Sequence, residues 1–219
     1  LIRATQPRGD GEGGYGIGID GGALLWTENC ELSNNTAVGL MATGQGSHTT
    51  LEDTVIRNTR STSDGNGGFG VQVSGSAWLR AERCDLNANT STGLKVLDPG
   101  TSVDLVATTI RDTLGGSNEE HGYGVEVSSG AELRAEDCEL NGNTAVGCLA
   151  SGTGTYATLV NTVIRDTQPG GEQDTGHGIE VQDGATLWVE GCELADNRGA
   201  GIVAADPDTR ATLVKTEIR

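Results

Sequence analysis

Five kinds of residue in this 219-residue chain could do chemistry. His177 stands between Gly176 and Gly178, an imidazole that could take or give a proton near neutral pH. Arg57, Arg111 and Arg165 are cations of the type that abstracts a proton or holds an anion. Asp10 and Glu12, Asp64, Glu119 and Glu120, and Glu172 and Asp174 sit in polar, Gly-rich stretches and offer the oxygen ligands that Ca²⁺ takes. Cys30, Cys84, Cys138, Cys148 and Cys192 raise the question of disulfides or a soft metal. Trp26, Trp78 and Trp188 could stack on sugar rings if exposed.

What must position them is a repeat. Gly16, Gly70, Gly124 and Gly178 recur at a step of 54, each ahead of a short β-branched alternation such as Val71-Gln72-Val73. Cys30, Cys84, Cys138 and Cys192 keep the same step, as do Asn35, Asn89, Asn143 and Asn197, and Gly39, Gly93, Gly147 and Gly201. An Ile-Arg pair returns from Ile2-Arg3 to Ile218-Arg219. Units begin near residues 1, 55, 109 and 163 of a single domain spanning 1–219.

Each unit holds two coils, because the Cys-[Glu/Asp]-Leu and Thr-x-Ile-Arg segments are variants of one strand. Ile2 to Leu32 is 30 residues and Leu32 to Ile56 is 24; the longer coil carries the extra polar loop, Gln6 to Tyr15 in the first unit. Short strands of period two, punctuated by Gly, Asn and Asp without any helical period, predict an all-β solenoid of about eight stacked coils. A propeller would need antiparallel hairpins and a different pattern in each of four strands. In stacked coils like residues align. Asn35, Thr59, Asn89, Thr113, Asn143, Thr167 and Asn197 are then expected to form one Asn/Thr ladder that bonds backbone groups of neighbouring coils.

The Asn-x-x-x-Gly-[Ile/Leu] segments, such as Asn35 to Leu40 and Asn197 to Ile202, followed by an apolar alternation, resemble the right-handed parallel β-helix repeat proteins of the pectate-lyase-like superfamily. The resemblance covers the whole chain. It implies the fold and its handedness, and a fragment of a bacterial secreted or surface protein, hence an extracellular or cell-surface location. It does not imply one activity, since the superfamily holds lyases, hydrolases, epimerases, adhesins and inert stalks.

In stacked coils each of these candidates also has a structural role. The Gly-His-Gly triplet is similar to that of polygalacturonase-type glycosidases, but the companion Asn-Thr-Asp and Arg-Ile-Lys triplets are absent. His177 also shares a column with Tyr15, Phe69 and Tyr123. The arginines form a column matched diagonally by Glu31, Asp85, Glu139 and Glu193, a surface charge pattern. Cysteines two coils apart are about 10 Å apart along the axis, too far for a disulfide. They alternate with Thr54, Thr108, Thr162 and Thr216, and read as reduced core residues. Cys148 replaces an inward Leu or Ile.

The carboxylates Asp10, Glu12, Glu172 and Asp174 remain weak Ca²⁺ candidates, with no other cofactor expected; Arg8-Gly9-Asp10 reads as chance. Trp26 and Trp188 point outward in one column, as candidate glycan contacts. A net charge of −17 without a basic stripe argues against nucleic acid and anionic membranes, and no apolar run is long enough to span a bilayer.

The preferred reading is a non-catalytic structural segment. The alternative is a polysaccharide-binding or polysaccharide-degrading solenoid, lyase or hydrolase, Ca²⁺-assisted. The chain opens in mid-pattern without an initiator Met and reads as part of a longer array. Uncapped terminal coils would allow copies to associate end to end.

Overall fold

The computed structural model describes residues 1–7, 13–116, 122–170 and 176–219. Among the described residues, 25 strands form three sheets of nine, eight and eight, and every pairing between these strands is parallel. Sheet I runs from Ile2–Arg3 to Glu217–Ile218, sheet II from Ile17–Ile19 to Ile202–Ala204, and sheet III from Leu24–Glu28 to Arg210–Val214. One coil passes through Leu24–Glu28 in sheet III, Glu31–Ser33 in sheet I and Val38–Thr43 in sheet II. It re-enters sheet III at His48–Glu52, directly beside Leu24–Glu28. No α-helix occurs among the described residues.

Leu32 lies opposite Ile2 and Ile56, so the register steps by 30 and then 24 residues, as the two-coil unit predicts. The inward column of sheet I alternates Leu32, Ile56, Leu86, Ile110, Leu140, Ile164 and Leu194, none more than 2% exposed. Sheet II contributes Leu40, Val71, Leu94, Val125, Cys148 and Ile179, and sheet III Leu79, Val103, Leu133 and Leu187. One continuous apolar core therefore runs along the stack. Each coil buries its apolar face only because a neighbour lies on either side.

Two corners are turned by a single residue in the left-handed region. Between sheets I and II this residue is Asn34, Asn58, Ala88, Asp112, Gly142, Asp166 and Asp196 in successive coils, with φ from 50° to 63°. Asn, Asp and Gly tolerate that conformation and dominate the column. The glycines that the repeat places at Gly16 and at Gly39 form one column in space. A Cβ on Gly70 would stand 2.5 Å from the Gly93 carbonyl oxygen, and one on Gly124 would stand 2.5 Å from that of Gly147. Close approach of successive main chains, rather than φ, demands glycine here.

Candidate functional site

Three corners carry the polar side chains that join one coil to the next. At the sheet I–II corner, Asn89 Oδ1 accepts the main-chain N–H of Thr59 at 3.0 Å and its Nδ2 donates to the Ile56 carbonyl at 3.1 Å. Asn143 does the same to Thr113 and Ile110, and Asn197 to Thr167 and Ile164. Asn35 accepts from the Thr5 N–H at 3.2 Å and from the Thr5 hydroxyl at 2.9 Å, while among the described residues its Nδ2 has no partner.

The expected single Asn/Thr ladder is corrected on one point. Each asparagine reaches only to the preceding coil, and the Thr59, Thr113 and Thr167 hydroxyls are buried without a partner among the described residues. They face the glycine column, which has no side chain to receive them. The result is a series of separate asparagine clamps.

Each clamp sits where a polar loop leaves the stack. Thr59 precedes the excursion of residues 60–69 and Gly70 ends it. A Cβ on Gly70 would meet Asn89 Nδ2 at 2.7 Å. One asparagine thus holds the outgoing strand by hydrogen bonds and packs against the returning one.

A second clamp, between sheets II and III, was not read from the sequence. Ser47, Thr101, Thr155 and Thr209 accept the N–H groups of Gly22, Ser76, Gly130 and Gly184 at 2.9 to 3.1 Å. They alternate along the stack with Ala23, Ala77, Ala131 and Ala185. Their step of 54 was available as a signal, but Ser and Thr are common enough in this chain to pass unnoticed.

The third corner holds the cysteines. Val55 N–H donates to the Cys30 carbonyl and Asp85 N–H to that of Thr54, so Cys and Thr alternate from coil to coil. The Cys84 and Cys192 thiols point at carbonyl oxygens, Leu51 and Glu82 for one, Leu159 and Glu190 for the other. All five cysteines are free, four of them buried and Cys30 half-buried. Burial raises the thiol pKa of Cys84 and Cys192, pushes that of Cys138 to about 11, and pushes that of Cys148 to about 12. These are packing groups rather than nucleophiles at neutral pH.

On the outer face of sheet I the arginines meet the acids one coil back. Arg57 lies 2.7 Å from Glu31, Arg111 2.9 Å from Asp85 and Arg165 2.7 Å from Glu139, and Arg219 pairs with Glu193. The hydrogen bond from Arg57 holds the Glu31 carboxyl below its ordinary value. Every arginine considered as a base is thereby occupied by a carboxylate.

The outer surface is less uniform than the repeat suggests. Arg83 joins Asp53, Glu82 and Glu52, at a position where the other coils carry Asn29, Asp53, Ala107, Asp137, Asn161, Gly191 and Lys215. Lys95 bonds Glu126 at 2.9 Å with its ammonium 5.0 Å from the centre of the Phe69 ring. Outward positions escape the packing that enforces the inner columns, so they diverge freely.

His177 Nδ1 accepts the Ala200 N–H at 2.9 Å, which ties this ring to the following coil. In its column on sheet II it follows Val38, Phe69, Thr92, Tyr123 and Val146, mostly ring or β-branched apolar side chains. Trp26 is 63% exposed and Trp188 36%, six coil steps apart, about 29 Å at the spacing of paired strands. Thr50, Arg80, Asp104, Arg134 and Thr158 lie between them. Trp78 instead tilts against His48, with ring centres 5.6 Å apart.

A shallow polar cleft of about 500 Å³ is lined by Asp166, Gln168, Asp196, Asn197 and Arg198. Arg198 stands there in place of the Thr36, Thr90 and Thr144 of the other units. Asp10, Glu12, Glu172 and Asp174, with Arg8-Gly9-Asp10, Glu119 and Glu120, lie outside the described residues. Among the described residues no group of three or more His, Cys, Asp or Glu side chains is arranged to hold a metal ion.

The family model for the right-handed beta helix region matches residues 8–164 and 120–218, which together span nearly the whole chain. The chain belongs to the right-handed β-helix family. No curated protein matches this β-helix in sequence. Membership fixes the hand of the coils.

Proposed function

We propose that this β-helix is a non-catalytic scaffold segment of an extracellular or cell-surface protein, a rod that supplies reach and presents a polar loop at every second coil. The observation that supports the reading is the asparagine clamp. Asn35, Asn89, Asn143 and Asn197 each brace the base of a loop from within the stack. The most deeply placed polar side chains are thus spent on architecture. The loops recur about 10 Å apart along one edge, since two coils separate them. Arg57, Arg111 and Arg165 of sheet I are each held by an acid one coil back, a pair that repeats from unit to unit.

A thermal-shift and depletion screen against polysaccharides, with and without Ca²⁺, tests this. A scaffold leaves the midpoint and the soluble fraction unchanged throughout. The exposure of Trp26 favours a second reading, a polysaccharide-binding or polysaccharide-degrading β-helix. Under that reading a glycan shifts the midpoint, Trp26→Ala removes the shift, and product sugars appear if the chain is also an enzyme.

A further inference from the structure

The chain contains two Asn-Gly pairs, Asn66-Gly67 and Asn141-Gly142, and the fold treats them in opposite ways. In such a pair the glycine nitrogen can attack the asparagine side-chain carbonyl carbon, because no Cβ on the following residue blocks the approach. Whether it does depends on how firmly both groups are held.

Asn141 ends the strand Glu139–Asn141 and is paired with Arg111 on one side and Arg165 on the other. The Gly142 N–H donates to the Arg165 carbonyl at 3.1 Å, so the nucleophile is tied to the next coil. The Asn141 amide donates to Glu139 at 3.3 Å. Ring closure there requires the parallel ladder to open first.

Asn66 lies in the exposed excursion between Arg60 and Phe69. Its main chain is fixed, with its carbonyl accepting the Thr62 N–H at 2.8 Å and its N–H donating to Thr62 Oγ1 at 3.2 Å. Its side-chain amide and the Gly67 N–H have no partner among the described residues. Gly67 has φ of 78°, and a Cβ there would stand 2.7 Å from the Ala37 main chain. The loop therefore requires glycine at the one position where glycine most exposes its neighbour to attack.

We propose that Asn66 is a site of spontaneous deamidation and isoaspartate formation. The Gly67 nitrogen bonds to Asn66 Cγ, the Cγ–Nδ2 bond breaks, and the Gly67 proton leaves on the amide as ammonia. Water then opens the succinimide at either carbonyl, giving aspartate or isoaspartate. No oxidant or cofactor enters. Either product adds a carboxylate beside Asp64. The isoaspartate form also lengthens the main chain by one carbon inside the Thr62–Asn66 closure, so the presented loop changes shape while the coils do not.

The test incubates the purified chain in mildly alkaline buffer, native and in urea, with peptide mass mapping and isoaspartyl methyltransferase labelling over time. In urea the two pairs should convert at similar rates. In the native chain Asn66 should convert about tenfold faster than Asn141 or more, because only Asn141 waits for strand opening. Asn66→Gln should abolish native labelling of the peptide that carries it. Equal native rates at the two pairs would overturn the proposal, as would a native Asn66 that stays intact while the urea sample converts. Failure of both pairs to convert in urea would overturn it too.

Discussion

Asn89 Oδ1 receives the main-chain N–H of Thr59 at 3.0 Å, across 30 residues of sequence and at a corner where both residues are fully buried. Replacing Asn89 by Ala strands that N–H and takes from the Ile56 carbonyl the bond it accepts from the Asn89 amide beside its ladder bond. The expected loss is about 2–3 kcal/mol, one buried donor left without a partner and one further hydrogen bond lost. Asn35→Ala should cost less, about 1 kcal/mol, since Thr5 is only half-buried and its hydroxyl, which donates to Asn35, can turn to the Gly14 carbonyl instead. Urea unfolding of the two variants side by side measures the difference. Equal midpoints would show that the second hydrogen bond of the clamp contributes nothing.

Two threonine-to-valine changes should move stability in opposite directions. The Thr59 hydroxyl is buried without a partner, so Thr59→Val removes a desolvated polar group and should stabilise by about 1 kcal/mol. The Thr155 hydroxyl accepts from Gly130 at 2.9 Å and donates to Ser151 at 2.8 Å, so Thr155→Val should destabilise by about 1–3 kcal/mol. The signs are the test. A shared sign would mean that hydroxyl bonding is not what separates the two corners.

The surface pairs predict a dependence on acid. Hydrogen bonds from arginine lower the carboxyl pKa of Glu31, Asp53 and Glu82 below ordinary values of 4.5, 3.8 and 4.5. A depressed folded-state pKa contributes stability above the unfolded value, and that stability is lost as pH falls through the folded value. Thermal midpoints should therefore hold from neutrality to about pH 4.5 and decline below it, less steeply in high salt. The triple variant Glu31→Gln, Asp53→Asn, Glu82→Gln should show a shallower decline. A decline of unchanged steepness would assign the acid sensitivity to other carboxylates.

Thiol chemistry should single out one residue. Cys30 is the half-buried cysteine, whereas Cys138 and Cys148 combine burial with thiol pKa values pushed to about 11 and about 12. A thiol reagent at neutral pH should label Cys30 first and the others only on unfolding, when all five react. A fast phase that survives Cys30→Ser would show that a buried corner opens in the native chain.

Much of this was legible because a fixed period projects onto fixed columns. The step of 54 located Cys30, Asn35 and Leu32 on their columns, and charge type alone anticipated the diagonal between Arg57 and Glu31. Other features hid in the unequal halves of the unit. Gly16, Gly39 and Gly70 are separated by 23 and then 31 residues, so two glycine series look unrelated in sequence although they touch in space. Hydrogen-bond direction is likewise absent from spacing. Nothing in the order of residues says that Asn89 reaches back while the Thr113 hydroxyl reaches nothing. The Arg83 and Lys95 clusters follow no period and were invisible for that reason.

The alternation of 30- and 24-residue coils also sets how this rod would yield to force. Its hydrogen bonds between strands lie along the axis, so tension applied end to end loads them lengthwise and peels one coil at a time instead of shearing whole sheets. Each released coil lengthens the tether by its own chain, about 100 Å for the longer and about 80 Å for the shorter. A single molecule drawn out along its axis should extend in steps of two alternating sizes, a ruler whose graduations come from its loops.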